Sequence, residues 1–215
     1  MSIRTTEQLF DFLSAELTWR KKELSELQSL LELKSLPQNR QNVLIRSGVA
    51  MLYAHWEGFV KNAASAYVEF VAMQRLSYRD LASNFVAIAI KDKLNDVMES
   101  NKTSVCIEVT DFLITKLSER SSIPYKSAIN TKSNLSSQVL REITTVLGID
   151  FSAYATKEKI IDEKLLKSRN NIAHGNYLII DHDEYLELHN QVIEMMNLFR
   201  NHIDNSASMK SYCRI

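Results

Sequence analysis

Leu9, Phe10, Phe12, Leu13, Leu17, Leu24, Leu27, Leu30 and Leu31 recur at the three- and four-residue spacing of one helix face. Thr5, followed three residues later by Gln8, supplies a capping box to start that helix. Pro37 stops it, so the pattern predicts a first helix running to about Leu36. A second long helix begins near Gln38 to Arg40 and continues to about Leu76. It carries Val43, Leu44, Val49, Leu52, Trp56, Phe59, Val60, Ala63, Tyr67 and Phe70 on a broad apolar face. Two helices of this length joined by a short turn predict an antiparallel hairpin, the opening of an up-down bundle.

Ser83 is the predicted cap of a third helix that ends near Ser100, and a fourth covers about Ser104 to Leu117. Residues 118–137 are serine-rich, contain Pro124 and show little periodicity, which predicts a long, flexible connection. Connections of that length in compact domains tend to be functional or mobile. Ser136 or Ser137 then starts a short helix that ends at Leu147, with Gly148 as its C′ glycine. Thr156 is the predicted cap of the helix leading into residues 169–174, and Leu178, Ile179 and Ile180 form a short extended link. Asp183 is expected to cap the last helix, which carries Tyr185, Leu186, Leu188, Val192, Ile193, Met196 and Phe199 to about Asp204. Residues 206–215 are expected to fray. The expected organisation is one all-α helical domain over residues 1–215, with its core at about 38–205 and one long loop.

Composition sharpens this picture. Only 4 glycines and 2 prolines occur in 215 residues, too few breakers for a strand-and-turn protein. The formal net charge is zero, so any nucleic-acid site must be a local patch. Cys106 and Cys213 form neither a disulfide framework nor a zinc pattern; Cys106, in an apolar run, reads as a small core residue. The chain shows no signal-peptide-like segment and no run near ~20 apolar residues, so it is expected in the reduced cytoplasm, away from membranes.

The chemistry concentrates in residues 168–175, Ser-Arg-Asn-Asn-Ile-Ala-His-Gly. Arg169 offers a permanent cation that forks onto phosphate oxygens, and His174 a group that moves protons near neutral pH. Two readings compete. One is an ordinary helix end, with Gly175 in the left-handed C′ position and His174 complementing the dipole. The other is a phosphate clamp beside a proton shuttle. On a helix Asn170 and His174 share a face, whereas Arg169 lies ~140° from His174 at ~100° per residue. The pair converges only through the arginine's length, a loosened last turn, or a second copy of the chain.

The segment Arg169-Asn170-Asn171-Ile172-Ala173-His174 resembles the Arg-x4-His signature of the HEPN superfamily, including the asparagine that follows the arginine. Residues 44–61, LIRSGVAMLYAHWEGFVK, resemble the RiboL-PSP-HEPN and MAE-type branch, as do Asn134-Leu135 and the turn Leu147-Gly148-Ile149-Asp150. The resemblance extends from about Gln38 to Asn205. It implies a HEPN-type bundle that dimerises, bringing two Arg-x4-His motifs into one cleft. It also implies metal-independent endoribonuclease activity without a cofactor, in which the ribose 2′-hydroxyl attacks the adjacent phosphate and leaves a 2′,3′-cyclic phosphate. His174 would help activate that hydroxyl, Arg169 would hold the phosphate, and Asn170 would orient one or the other. RNA is the implied substrate, in a toxin–antitoxin or phage-defence setting with an antitoxin or sensor protein as partner. The rival is a non-catalytic module of the same fold that binds a nucleotide, RNA or protein. Some HEPN toxins carry His-x-Tyr, with the tyrosine as an AMP acceptor. Tyr177 falls one residue later, so that regulation is not carried over.

Further candidates flank this motif. Arg46, His55 and Glu57 either support it from the second helix or are polar neighbours of a core Trp56. Trp19 reads as a packing residue on the first helix. Lys116, Arg120, Lys126, Lys132 and Arg141 oppose only Glu119 across residues 116–141, a local net charge of +4 that suits an RNA backbone or an ordinary solvated loop. His182, His189 and His202 lack ligand spacing, so no metal site is expected.

Overall fold

A computed structural model describes residues 2–32, 36–100 and 102–214, and among them the regular elements are helices. The chain runs through α1 (Thr6–Leu31), α2 (Gln38–Met73), a 3-10 turn (Tyr78–Asp80), α3 (Ser83–Ser100) and α4 (Thr103–Thr115). It continues through α5 (Ser137–Leu147), α6 (Ser152–Ala155), a π-helical segment (Ile160–Leu166), α7 (Lys167–Ala173) and α8 (His182–Ser208). The all-α bundle is therefore as the apolar spacing predicts. Thr5 closes its capping box, accepting from Gln8 N–H at 3.2 Å while the Gln8 side chain accepts from Thr5 N–H at 3.3 Å.

α1, α2 and α8 pack mutually and hold the core. Leu9, Leu13 and Leu24 of α1 are fully buried, each contributing roughly 1.5–3 kcal/mol of hydrophobic stabilisation. α2 is the central element, with Trp56, Phe59, Val60, Ala63 and Tyr67 at zero exposure. The Trp56 ring meets Phe199 of α8 edge-on at 6.5 Å between centroids. α8 packs tightly on α2 at Gly48, where an added Cβ would lie 2.6 Å from Cε2 of the fully buried Tyr185. That contact requires glycine.

Several boundaries differ from the sequence expectation. α1 ends at Leu31, and residues 33–35 of its expected last turn lie outside the described residues. α2 ends at Met73, and Ser83 is the first residue of α3. α5 is as expected: Ser136 is its cap, accepting from Val139 N–H at 3.2 Å, and Gly148 ends it at φ +70°. Asp181, two residues before the expected cap, starts α8 because its carboxylate accepts the Glu184 N–H at 2.7 Å. Thr156 ends α6 instead of starting a long helix, and the following turns open into the π segment. Cys106 is exposed, since α4 buries Val109 and turns Cys106 outward. Trp19 is 45% exposed, with Arg20 over its ring at 4.3 Å.

The C-terminal segment is packed, not frayed. α8 continues to Ser208, Tyr212 is buried with its ring edge-on to Phe70 at 5.6 Å, and Cys213 bridges to Leu81. Ala82 N–H donates to Tyr212 C=O and Arg214 N–H to Asp80 C=O, each at 2.8 Å. Polar residues disguised this docking, which rests on one aromatic anchor and backbone pairing.

Two measurements check these packing statements. Gly48→Ala should lower unfolding stability by about 1–3 kcal/mol in urea titration, because the Tyr185 ring has no room to withdraw. Burial, as the largest cause, lowers the pKa of His55, His189 and His202. Between those lowered values and the ordinary ~6.5 the unfolded chain binds more protons, so stability falls as pH drops through that range. The melting temperature should therefore decrease from pH ~7.5 to ~5.5, and His189→Leu should make that slope shallower.

Candidate functional site

The α2 stripe Ala50, Tyr53, Ala54 and Glu57 follows i, i+3, i+4, i+7 spacing, and the α7 stripe Arg169, Ile172, Ala173 follows i, i+3, i+4. The two stripes face one another, and with Ser133 from the long loop they line an open cleft of about 410 Å³. Arg169 is its organising side chain. The guanidinium lies over the Tyr53 ring at 4.2 Å and donates from Nη2 to Ser133 C=O at 2.9 Å and Asn134 Oδ1 at 3.2 Å. Its Nε is buried without an acceptor among the described residues. Glu57 lines the same cleft but forms no ion pair with Arg169 among the described residues, so the cation is held by neutral groups.

Tyr53 holds both walls of this arrangement. Its ring carries Arg169, and its hydroxyl accepts the buried Leu135 N–H at 2.6 Å. Burial, the largest cause, raises the phenol's pKa against the opposing Arg169 and Leu135 hydrogen bonds. The phenol therefore stays neutral at physiological pH. The loop carries Lys132 and Ser133 at φ +54° and +56°, a left-handed conformation that costs roughly 1–2 kcal/mol per non-glycine residue. That conformation accompanies the Ser133 carbonyl's bond to Arg169.

The π segment sets where α7 starts. Asp162 accepts the Ser137 N–H at 2.7 Å and its hydroxyl at 2.5 Å, tying the segment to the first turn of α5. Periodicity does not separate a π turn from an α turn over so short a stretch, so the sequence predicts one helix across both. α7 ends in a Schellman motif: Gly175 N–H donates to Ile172 C=O at 3.1 Å and Asn176 N–H to Asn171 C=O at 2.9 Å. Gly175 has φ +75°, as the helix-end pattern predicts.

His174 is the C-cap residue, exposed, and its ring makes no hydrogen bond to another described residue. Asn170 is half-buried on the same helix face, its carbonyl accepting the His174 N–H at 3.0 Å. Arg169 and His174 are not joined within the chain, and the Arg169 cleft does not include His174. α7 keeps its α form through Ala173, so no loosening of its last turn brings the pair together.

Arg46 reaches the segment just after the motif, donating to Asn176 C=O at 3.1 Å and lying 5.9 Å from the Tyr177 ring centre. His55 is a correction. It is buried on the far side of α2, where Nε2 meets Glu23 at 2.9 Å and Nδ1 lies 3.4 Å from Arg20. Two residues along a helix are ~200° apart, so Tyr53 at the cleft excludes His55 from it. Lys126 lines a different cavity, with Phe12 and Asn62. Lys132 neighbours Ser133 but lines a third cavity.

The long loop is better anchored than its composition suggests, with Ile123, Ile129, Thr131 and Leu135 buried. Its charge is partly compensated: Lys116 pairs with Glu119 at 3.0 Å, and Arg141 with Glu158 at 2.5 Å. Among the described residues there is no group of three or more His, Cys, Asp or Glu that would hold a metal ion. Tyr53, Ser133 and Asp162 were not singled out from sequence. Tyr53 and Glu57 at i, i+4 were the available signal for the first; the loop carbonyl and the π turn left none.

The family model for MAE_28990-like HEPN matches residues 9–212, nearly the whole chain. The chain belongs to that HEPN family. No curated protein and no solved structure matches it significantly.

Tyr53→Phe tests the coupling of cleft and loop. It leaves the buried Leu135 N–H without its acceptor, which costs about 1–3 kcal/mol. The expected outcome is a lowered unfolding midpoint with faster amide hydrogen exchange at Leu135, while the helical signal is retained.

Proposed function

We propose that this HEPN chain is a metal-independent endoribonuclease that works as a homodimer. The observation that carries the reading is the state of Arg169. It is a cation fixed by an aromatic face and neutral acceptors and left without a carboxylate partner among the described residues. Such a group is prepared for a phosphate, which Arg engages through a planar fork of donors. The exposed His174, one helix end away, has no partner to divert it from proton transfer.

In the proposed reaction His174 accepts the proton of a ribose 2′-hydroxyl as its oxygen bonds to the adjacent phosphorus. The P–O5′ bond breaks, the departing oxygen takes up a proton, and a 2′,3′-cyclic phosphate remains. Arg169 stabilises the added charge on the non-bridging oxygens, and Asn170 orients the phosphate or His174. One chain holds Arg169 and His174 on different flanks of α7, so a second copy would complete the site. The exposed Tyr177 (80%), Ile179 (70%) and Val43 (63%) beside that end of α7 offer an apolar face for it. A toxin–antitoxin or phage-defence setting, with an antitoxin or sensor protein to restrain the activity, is part of this proposal and is supported only by membership of the HEPN family. Among the described residues no helix is long and apolar enough to cross a membrane.

The test is incubation of wild type and His174→Ala with total RNA in a metal chelator, followed by analysis of 3′ ends. Wild type should release 2′,3′-cyclic phosphate ends, and His174→Ala should be slower by ~10²–10⁴-fold with unchanged melting, since the ring is exposed and unbonded. Equal cleavage by both, or no cleavage by folded wild type, overturns the nuclease and leaves a binding module. Arg169→Ala should also abolish cleavage but loosen residues 133–134, so His174→Ala is the cleaner variant. Mixing the two inactive variants should restore part of the activity if the site is shared between chains.

A further inference from the structure

A cavity of about 520 Å³ lies between α3, the long loop and α5, on the other side of the Lys132–Ser133 turn from the Arg169 cleft. Lys91 and Lys132 stand at its lining, and neither has an ion-pair partner among the described residues. Arg141 also contributes, although its guanidinium is engaged by Glu158 and lies 3.9 Å over Phe151. One carboxylate, Glu142, opposes these three cations. The remaining lining is divided in character: Ile129, Val139, Ile143 and Val146 are apolar, while Asn130 and Gln138 offer amide donors and acceptors. A cavity of this size with an apolar lining, a few polar groups and free cations fits one nucleoside phosphate.

We propose that this cavity binds a nucleotide of a single-stranded RNA beside the one held at Arg169. The base would rest on the apolar residues of the loop and α5, and its phosphate would engage Lys91 and Lys132. The turn between the cavities supplies the connection. Lys132 and Ser133, both left-handed, place the Lys132 side chain in this cavity and the Ser133 carbonyl on Arg169. A strand crossing that turn passes from one cation group to the other. Lys116 and Lys126, the other lysines of the basic stretch, lie outside this cavity, so net loop charge alone does not locate the strand. The inference rests on the endoribonuclease reading for its substrate class.

The test measures anisotropy of a fluorescent 2′-O-methyl RNA 12-mer, which lacks the attacking hydroxyl. Lys91→Glu and Gln138→Trp, both at exposed helix positions, remove a cation and fill the cavity respectively. Each should weaken binding at least tenfold, while Lys22→Glu on α1 should not change it. Lys91→Gln should lower the slope of log affinity against log salt by about 0.7, the value for one phosphate contact on a single strand. Wild-type affinity in Lys91→Glu and Gln138→Trp, with His174-dependent cleavage intact, overturns the subsite and spares the nuclease reading. Absence of both RNA binding and cleavage in the wild type overturns both. Binding of AMP as tight as that of the 12-mer overturns the strand assignment in favour of a free-nucleotide site.

Discussion

The site depends on one rigid helix distributing consecutive residues to different neighbours. α2 is buried along most of its length, so its rotation about its own axis is fixed by Trp56, Phe59 and Tyr67 in the core. With that rotation fixed, Tyr53 and Glu57 fall to the α7 side and His55 to the α1 side. Arg20 and Glu23 then receive His55, and Arg169 settles on Tyr53. A shift of one residue in α2 would turn it by ~100° and take both side chains away from these neighbours. The tight contact of Gly48 with Tyr185 helps prevent it.

In the proposed reading Arg169 meets a phosphate, and its neutral support matters for that role. A carboxylate in direct contact would stabilise the guanidinium but also cancel the field that a phosphate would meet. Here an aromatic face, a backbone carbonyl and an amide oxygen fix the cation's position while leaving its charge available. Arg20 behaves differently. It too lies over an aromatic ring, but unlike Arg169 it is buried, pairs with Glu16 at 2.8 Å and belongs to the packing between α1 and α2. Both arginines stack on aromatic rings, and only the unpaired one is suited to an incoming anion.

Much of the fold was legible because apolar spacing and caps report on local geometry. The Thr5–Gln8 capping box, the stop at Gly148 and the left-handed Gly175 each depend on a few adjacent residues, and each was readable. Contacts distant in sequence were not. The expectation for His55 failed because adjacency to Trp56 and Glu57 says nothing about which face is already occupied. The tail was misjudged because its docking depends on Tyr212 meeting Phe70, 142 positions earlier. The π segment and the strained Lys132–Ser133 turn were invisible, since neither contains a glycine or proline to mark it.

The separation of Arg169 from His174 follows from these constraints. The residues are five apart, and α7 remains α-helical to Ala173, so the two side chains leave the helix on different flanks. Moving His174 onto the arginine's flank would require unwinding a last turn that the Schellman bonds of Gly175 and Asn176 close. Moving Arg169 would break its contacts with Tyr53, Ser133 and Asn134. Each route sacrifices two hydrogen bonds, each worth ~0.5–1.5 kcal/mol net, and the second also loses the stacking of Arg169 on Tyr53. Docking a second copy against the exposed end of α7 sacrifices none of them. Under the proposed nuclease reading, in which both groups meet one phosphate, a shared site leaves this helix end intact.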